Sequence, residues 1–238
     1  SCPIKCGGIV AVPGGEHPVE ESHKPEYETL CAFGTLCLVD DLETIIKIND
    51  ICNRAGLDTI STGGVCAFAI ECFERGVITE ADTGGLRLAW GDSAALLKLV
   101  GLIAAREGIG DVLADGVKRA AQKIGQGSEA WAMHAGGQEL PMHDPRFDTS
   151  YGITYQCDPT PGRHTVAAAT WADLMLIERY FPQVGKFAPV SRKATLRKPD
   201  HHVRAVTFNA KFHQVLNGVG VCLFGISAGP RMPVMEGT

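Results

Sequence analysis

Hydrophobic residues recur at helical spacing along most of the chain, and aspartates or glycines stand at the ends of the runs. Between Asp41 and Gly56, apolar positions from Leu42 to Ala55 repeat every three or four residues, with Asp40 or Asp41 as cap. This pattern predicts an amphipathic helix with a clear start and stop. Similar runs predict helices at about 65–75, 93–106, 111–124, 166–180 and 201–216. The run from Val65 is apolar almost all round, so we expect that helix to be buried.

Strand signals are scarce, because few stretches alternate apolar and polar residues. The first two dozen residues are rich in Gly and Pro and are predicted to be loop. A second Gly-, Pro- and His-rich stretch, from His134 to Arg163, is also predicted to be loop. We place a domain boundary there, between a domain at 1–133 and a domain at 134–238. The sequence therefore predicts a mainly α fold of two helical domains.

Composition narrows the class of protein. The 238 residues are 45% apolar and 21% charged, which is typical of a globular chain. A net charge of −5 without a dense Lys/Arg block argues against nucleic-acid binding. No apolar run reaches the roughly 18 to 20 residues that a membrane-spanning helix needs, so we expect no membrane insertion.

Nine cysteines are many for a chain of this size. Cys2 and Cys6 form a tight pair, and Cys222 follows a Gly-rich segment near the other end. Clustered thiolates bind soft metals or iron–sulfur clusters, and a cubane needs four of them. A zinc half-site or unused thiols explain the pair's spacing equally well.

Five other cysteines, by contrast, lie in apolar or helical stretches, where cysteine acts as a small hydrophobe: Cys31, Cys37, Cys52, Cys66 and Cys72. Such thiols persist in a reducing compartment, which predicts a cytoplasmic protein.

Two stretches carry candidate proton-transfer groups. In Pro25-Glu26-Tyr27-Glu28, a buried carboxylate could act as a general acid or base. A plain helix N-terminus explains these residues better on local grounds. His164 follows a Pro/Gly loop and suits a proton shuttle, although a loop histidine is more often simply solvated.

Two segments share the pattern Asn, two residues, Gly, an aliphatic residue, and a functional candidate. They are Asn53 to Asp58 and Asn217 to Cys222. The first continues to Gly63-Gly64, which we expect to open the next helix and to present N–H groups to an anion. An ordinary helix–loop–helix, capped by Ser61 or Thr62, is the alternative. The repeated pattern predicts two similar loops that face one bound object.

Taken together, these motifs closely resemble the tungsten-dependent aldehyde:ferredoxin oxidoreductase family. The resemblance rests on Cys-Pro-Ile-x-Cys-Gly, Pro-Glu-Tyr-Glu-Thr-Leu, the string from Gly56 to Gly64, Arg106 to Asp111, Glu139 to Arg146 and the late Gly-Val-Cys. It covers nearly the whole chain, in order. The resemblance implies helical domain 2 of the family at 1–133, with an N-terminal cluster-binding loop, and a partial helical domain 3 at 134–238. In the family these domains stack on a β-rich N-terminal pterin-binding domain, which we expect this chain to lack.

The resemblance also implies cofactors and roles. Cys2, Cys6 and Cys222 match three ligands of a 4Fe–4S cluster, and we expect the fourth cysteine to precede Ser1. Glu28 and His164 match acid–base residues near a tungsten (or molybdenum) bis-molybdopterin centre. The residues that match the pterin-binding segments are Asn53, Gly56, Leu57, Asp58, Asn217, Gly220 and Val221. Asn53 and Asn217 stand where the family usually has aspartate, which removes a charge from each.

By this resemblance, the whole protein oxidises an aldehyde to a carboxylic acid and passes the electrons through the cluster to ferredoxin. We expect the chain alone to be inactive. A homodimer is compatible with the sequence. Two alternatives stay open: the tungsten subunit of an aromatic acyl-CoA reductase, and a non-catalytic thiolate–metal binding module.

Overall fold

A computed structural model of the chain describes residues 5–165, 171–187 and 199–228. The chain divides into two compact units. The first unit comprises Gly7–Met142, and the second comprises the residues from His143 onward together with the N-terminal residues up to Cys6. The family-domain boundary that we expect at 133/134 stays a prediction.

Most of the secondary structure is helical, which confirms the predicted mainly α class. The first unit contains β1 (Ile9–Val12), β2 (Val19–His23), α1 (Tyr27–Leu30), a π-helical turn (Cys31–Thr35), α2 (Leu42–Ala55), α3 (Thr59–Glu74), α4 (Ser93–Ala105), α5 (Ile109–Leu113), α6 (Val117–Ile124), a 3-10 turn (Ser128–Trp131), β3 (His134–Ala135) and β4 (Gln138–Glu139). The second unit contains α7 (Thr149–Cys157), α8 (Trp171–Tyr180), a 3-10 turn (Pro182–Val184), α9 (Pro199–Gly218) and a short helix (Leu223–Ala228). Among the described residues, no helix has the length and apolarity needed to cross a bilayer.

Helix α2 has the ends that its sequence predicts. The Asp41 side chain accepts a hydrogen bond from the Glu43 N–H at 3.1 Å, and Gly56 ends the helix in the left-handed conformation. Ile48 and Cys52 of its apolar stripe are fully buried in the core of the first unit. Local capping and core burial therefore favour the same helix.

Helix α3 is buried along most of its length, as predicted, but it begins earlier than expected. It starts at Thr59 rather than near Val65, and Asp58 is its cap instead of Ser61 or Thr62. Gly63 and Gly64 therefore lie inside the helix, and the expectation that they open it was wrong.

The two glycines allow close packing on α3. A Cβ atom at Gly63 would stand 2.6 Å from the Cβ atom of Ala32, so only glycine lets the π-helical turn approach this closely. Gly64 likewise faces the side chain of Glu139, whose Cγ would lie 3.3 Å from an added Cβ. The glycine pair is thus a packing feature and does not form an anion-binding loop.

The helix predicted at 111–124 is two helices in the structure. α5 ends at Leu113 and α6 begins at Val117, with Gly116 between them at φ 87°. A left-handed glycine breaks the α-helical path, and the apolar periodicity of the two pieces conceals this break. The helix predicted at 93–106 is confirmed as α4, which ends at Ala105 and has Arg106 in a left-handed conformation as its C-cap.

Two stretches that the sequence predicts as loop contain secondary structure. β1 and β2 pair antiparallel with Ile9 opposite His23, and Val12 and Val19 pack against Ile46. Helix α7 lies inside the predicted loop at 134–163, capped by the Asp148 side chain. The strands are too short, and α7 too weakly amphipathic, for a periodic signal to appear.

The second unit has its own core around α8 and α9. Its buried members are Ile177, Phe187, Ala205, Val206, Phe212 and Leu216. The helix predicted at 201–216 is confirmed as α9. Of the helix predicted at 166–180, residues 166–170 lie outside the described residues, and the remainder is α8.

We expect Gly110→Ala to destabilise the first unit strongly. An added Cβ would overlap the backbone carbonyl of Leu102, where α5 crosses α4, and no side-chain rotation can relieve a backbone clash. Overpacking of this kind costs about 1–3 kcal/mol, and we expect the upper end of that range. Denaturant unfolding of the purified protein measures the change.

Gly101→Ala is the matched control. Gly101 lies inside α4, and no atom lies within 4 Å of an added Cβ. This change should stabilise the protein by about 0.5–1 kcal/mol, because alanine loses less backbone entropy in a helix. Equal destabilisation by both variants would contradict the packing account.

Candidate functional site

Glu28 is a buried carboxylate in the first turn of a short helix. Glu28 is only 7% exposed, although it is the second residue of α1, which begins at Tyr27. Glu28 Oε2 accepts a hydrogen bond from the backbone N–H of Met142 at 2.9 Å. Glu28 is therefore both a residue at the start of a helix and a buried acid, so the two interpretations of this motif are compatible.

Three contacts fix the backbone that follows Glu28. The hydroxyls of Thr29 and Thr59 are 2.7 Å apart, which links α1 to the first residue of α3. The Cys37 thiol donates to the carbonyl of Ala32 at 3.4 Å and faces the carbonyl of Gly63 at 3.7 Å. π-Helical turns of this kind occur frequently at functional sites. Glu28 is thus held on a rigid support.

His164 lies in the turn that ends the Pro/Gly loop of the second unit. An Asx turn shapes the loop, since the Asp158 carboxylate accepts from the N–H and hydroxyl of Thr160, both at 2.8 Å. The ring of His164 is partly buried and stacks on His143 with centroids 4.3 Å apart. His164 is therefore not a simply solvated loop histidine.

His143 is held in turn by two tyrosines. Its ring lies 4.8 Å from that of Tyr151, and its carbonyl accepts a hydrogen bond from the Tyr155 hydroxyl at 2.7 Å. The sequence interpretation missed His143, because its partners come from α7, which the sequence did not predict.

The first Asn-containing loop follows α2. Gly56 has φ 70°, and the Leu57 N–H donates to the Cys52 carbonyl at 2.9 Å, which together form a Schellman motif. The side chain of Asn53 is exposed in the last turn of the helix. Asp58 caps α3 by accepting from the Ser61 N–H at 2.7 Å.

The second loop, after α9, repeats this geometry. Gly220 has φ 71°, and the Val221 N–H donates to the Leu216 carbonyl at 3.0 Å. Asn217 is exposed in the last turn of α9, as Asn53 is in α2. The sequence repeat is therefore also a structural repeat, with an exposed carboxamide one turn before each left-handed glycine.

Two of the three candidate cluster ligands, Cys6 and Cys222, are described by the structure and lie in the second unit. Cys6 and Cys222 are both exposed and take part in no disulfide. Cys222 directly precedes the short helix Leu223–Ala228. Cys2 lies outside the described residues.

The cysteines of the first unit are a different class. Cys37, Cys52, Cys66 and Cys72 are buried, as predicted, whereas Cys31 is partly exposed. Burial raises the pKa of Cys37 to about 12 and that of Cys52 to about 11, and it raises the pKa of Cys66 as well. These three thiols therefore stay protonated at neutral pH and are poor metal ligands.

Residues 1–236 match the family model described as aldehyde ferredoxin oxidoreductase, domains 2 and 3. The tungsten-containing aldehyde ferredoxin oxidoreductase of Pyrococcus furiosus is 38% identical over 165 residues, which are 69% of this chain and 26% of that protein. The aliphatic sulfonate oxidoreductase WOR-like subunit of the same organism is 36% identical over 174 residues, 71% of this chain and 28% of that protein.

Among solved structures, the active-site complex BamBC of benzoyl coenzyme A reductase, bound to 1,5-dienoyl-CoA, is similar to this chain. The TM-score is 0.55 with 29% sequence identity, over 70% of this chain and 24% of that one. The chain thus spans about a quarter of the length of the relatives that it matches. From its matched residues and its helical architecture, the chain belongs to the aldehyde ferredoxin oxidoreductase family, in the part that forms domains 2 and 3.

Proposed function

We propose that the whole protein oxidises an aldehyde to a carboxylic acid at a tungsten (or molybdenum) bis-molybdopterin centre. Two electrons then pass through a 4Fe–4S cluster to ferredoxin. The observation that carries this proposal is the buried, hydrogen-bonded Glu28 in a chain that matches tungsten-containing relatives. The core cysteines remain protonated thiols, and such thiols persist in a reducing compartment. We therefore place the protein in the cytoplasm.

The donor set of the second unit fits an iron–sulfur cluster. Cys6 and Cys222 are exposed cysteines, and cysteine thiolates are the usual ligands of such clusters. The left-handed Gly220 precedes Cys222 by two residues. Together with Cys2, these two cysteines would supply three of the four cluster ligands. The core thiols do not compete, because burial keeps them protonated.

The two Asn-containing loops fit a pterin edge. Exposed carboxamides at Asn53 and Asn217 each offer both a donor and an acceptor, which suits a heterocycle with amide and amine groups. Gly56, Leu57 and Asp58 would contact the pterin beside Asn53. Gly220 and Val221 would contact it beside Asn217. When bound, the metal–pterin group supplies a Lewis acid and a two-electron acceptor.

Glu28 and His164 would handle protons. Oxidation of an aldehyde by water releases two protons and two electrons, since RCHO + H₂O gives RCOOH + 2H⁺ + 2e⁻. Glu28 would take a proton from water or from the hydrated aldehyde, and His164 would donate a hydrogen bond to the carbonyl oxygen. The Met142 N–H orients the Glu28 carboxylate for this task.

One observation favours a second candidate, reduction of an aromatic acyl-CoA. The chain is similar to the active-site complex of benzoyl coenzyme A reductase. Reduction of an aromatic ring needs a proton donor beside the electron source, and Glu28 or His164 would serve as that donor.

A substrate comparison tests both candidates on the full-length protein, purified without oxygen. We expect aliphatic and aromatic aldehydes to reduce a viologen dye at rates typical of enzymes, about 1–10³ per second. Benzoyl-CoA should show no turnover with reduced dye. Turnover of the thioester alone would replace the first candidate by the second, and no turnover of either would reject both.

A further inference from the structure

Glu139 is a second buried carboxylate of the first unit, and its side chain contacts two other elements, α6 and α3. It lies in β4, where its side chain is 8% exposed. Its Oε1 accepts a hydrogen bond from the Val117 N–H at 2.6 Å, at the first residue of α6. Its Cβ and Cγ pack beside Gly64 of α3.

The chain around Glu139 is built to receive this carboxylate. An added Cβ at Gly116 would lie 2.7 Å from Glu139 Oε1, and Gly116 has φ 87°, so glycine is required there on two grounds. The helix N-terminus also carries a partial positive charge, which favours an anion. Glu139 therefore holds β4 against α3 and α6.

Met142 follows Glu139 by three residues. Pro141 is buried between them, and proline has a fixed φ angle, so this connection has little freedom. The Met142 N–H then donates to Glu28 Oε2 at 2.9 Å. Residues 139–142 thus form one short, anchored segment that connects α6 to Glu28.

We infer that Glu139 is a positioning residue for Glu28: by fixing residues 139–142 on α6, it places the Met142 N–H that orients the Glu28 carboxylate. This inference rests on the proposed acid–base role of Glu28. It also gives the Glu139-Leu140-Pro141-Met142 motif a role that the sequence alone left unassigned.

A double-mutant cycle in the full-length enzyme separates positioning from plain structural support. We expect Glu139→Ala to lower kcat for aldehyde oxidation by about 10- to 100-fold with little change in KM, because small misplacements of a catalytic group have effects of this size. Glu139→Gln keeps an oxygen acceptor and should recover most of kcat. In a Glu28→Gln background, Glu139→Ala should cause no further loss.

Hydrogen exchange of the Met142 amide supplies a readout that does not depend on activity. Exchange should become faster in Glu139→Ala and stay close to the parent rate in Glu139→Gln and in the exposed-neighbour control Gln138→Ala. Unchanged Met142 exchange in Glu139→Ala would overturn the inference, and so would additive losses in the cycle.

If Glu139→Ala fails to fold, Glu139→Gln and the shorter Glu139→Asp take its place, and equal kcat in these two would count against the inference. Full activity in Glu28→Gln would instead reject the proposed role of Glu28.

Discussion

Replacing Glu28 by Gln in the full-length enzyme should lower kcat for aldehyde oxidation by about 10²- to 10⁴-fold, the usual contribution of a general acid or base. Glutamine keeps the shape and an oxygen that can accept from the Met142 N–H. It cannot take up a proton at working pH. The variant should therefore fold normally, and its melting temperature should stay within a few degrees of the parent.

Glu26→Gln is the matched control for this prediction. Glu26 lies two residues away and is exposed, and its side chain makes no capping hydrogen bond at the start of α1. Its kcat should equal that of the parent enzyme. Steady-state kinetics with a viologen acceptor measures both variants, and a Glu28→Gln enzyme as active as Glu26→Gln would remove Glu28 from the reaction.

Replacing Cys222 by Ser should abolish ferredoxin reduction and lower the iron content from about four atoms per chain. A hydroxyl binds iron far less well than a thiolate, because it is a harder ligand and remains protonated. The exposed position of Cys222 means that the core should tolerate the change. Iron analysis and electron paramagnetic resonance of the reduced protein report the loss.

Cys157→Ser provides the comparison for Cys222→Ser. Cys157 is also an exposed thiol of the second unit, at the end of α7, but it lies outside the motifs on which the resemblance rests. Its replacement should leave the iron content and the ferredoxin reduction unchanged. Equal iron loss in the two variants, or none in either, would contradict the assignment of Cys222 as a cluster ligand.

The features that could be predicted from the sequence are those decided by near neighbours. Helix α2 has its cap, stripe and stop within sixteen residues, from Asp41 to Gly56, and each was located correctly. The likeness of the two Asn-containing loops is also decided locally, because a Schellman motif forms within six residues of chain. That the two loops face one bound object stays a prediction.

The features that could not be predicted depend on distant partners. A Gly-Gly pair is typical of a loop in sequence, and only the contact of Gly63 with Ala32 shows why it lies inside α3. The hydrogen bond that Glu28 accepts likewise comes from Met142, which is 114 residues further along the chain. Periodicity reports which face of an element is apolar, but it does not report which backbone groups approach each other.

The metal content of the full-length protein, purified without oxygen, tests the central claim most directly. Elemental analysis should find tungsten (or molybdenum) together with about four iron atoms per chain. Protein that contains zinc alone, with no tungsten, molybdenum or iron under any growth condition that supplies them, would contradict the account.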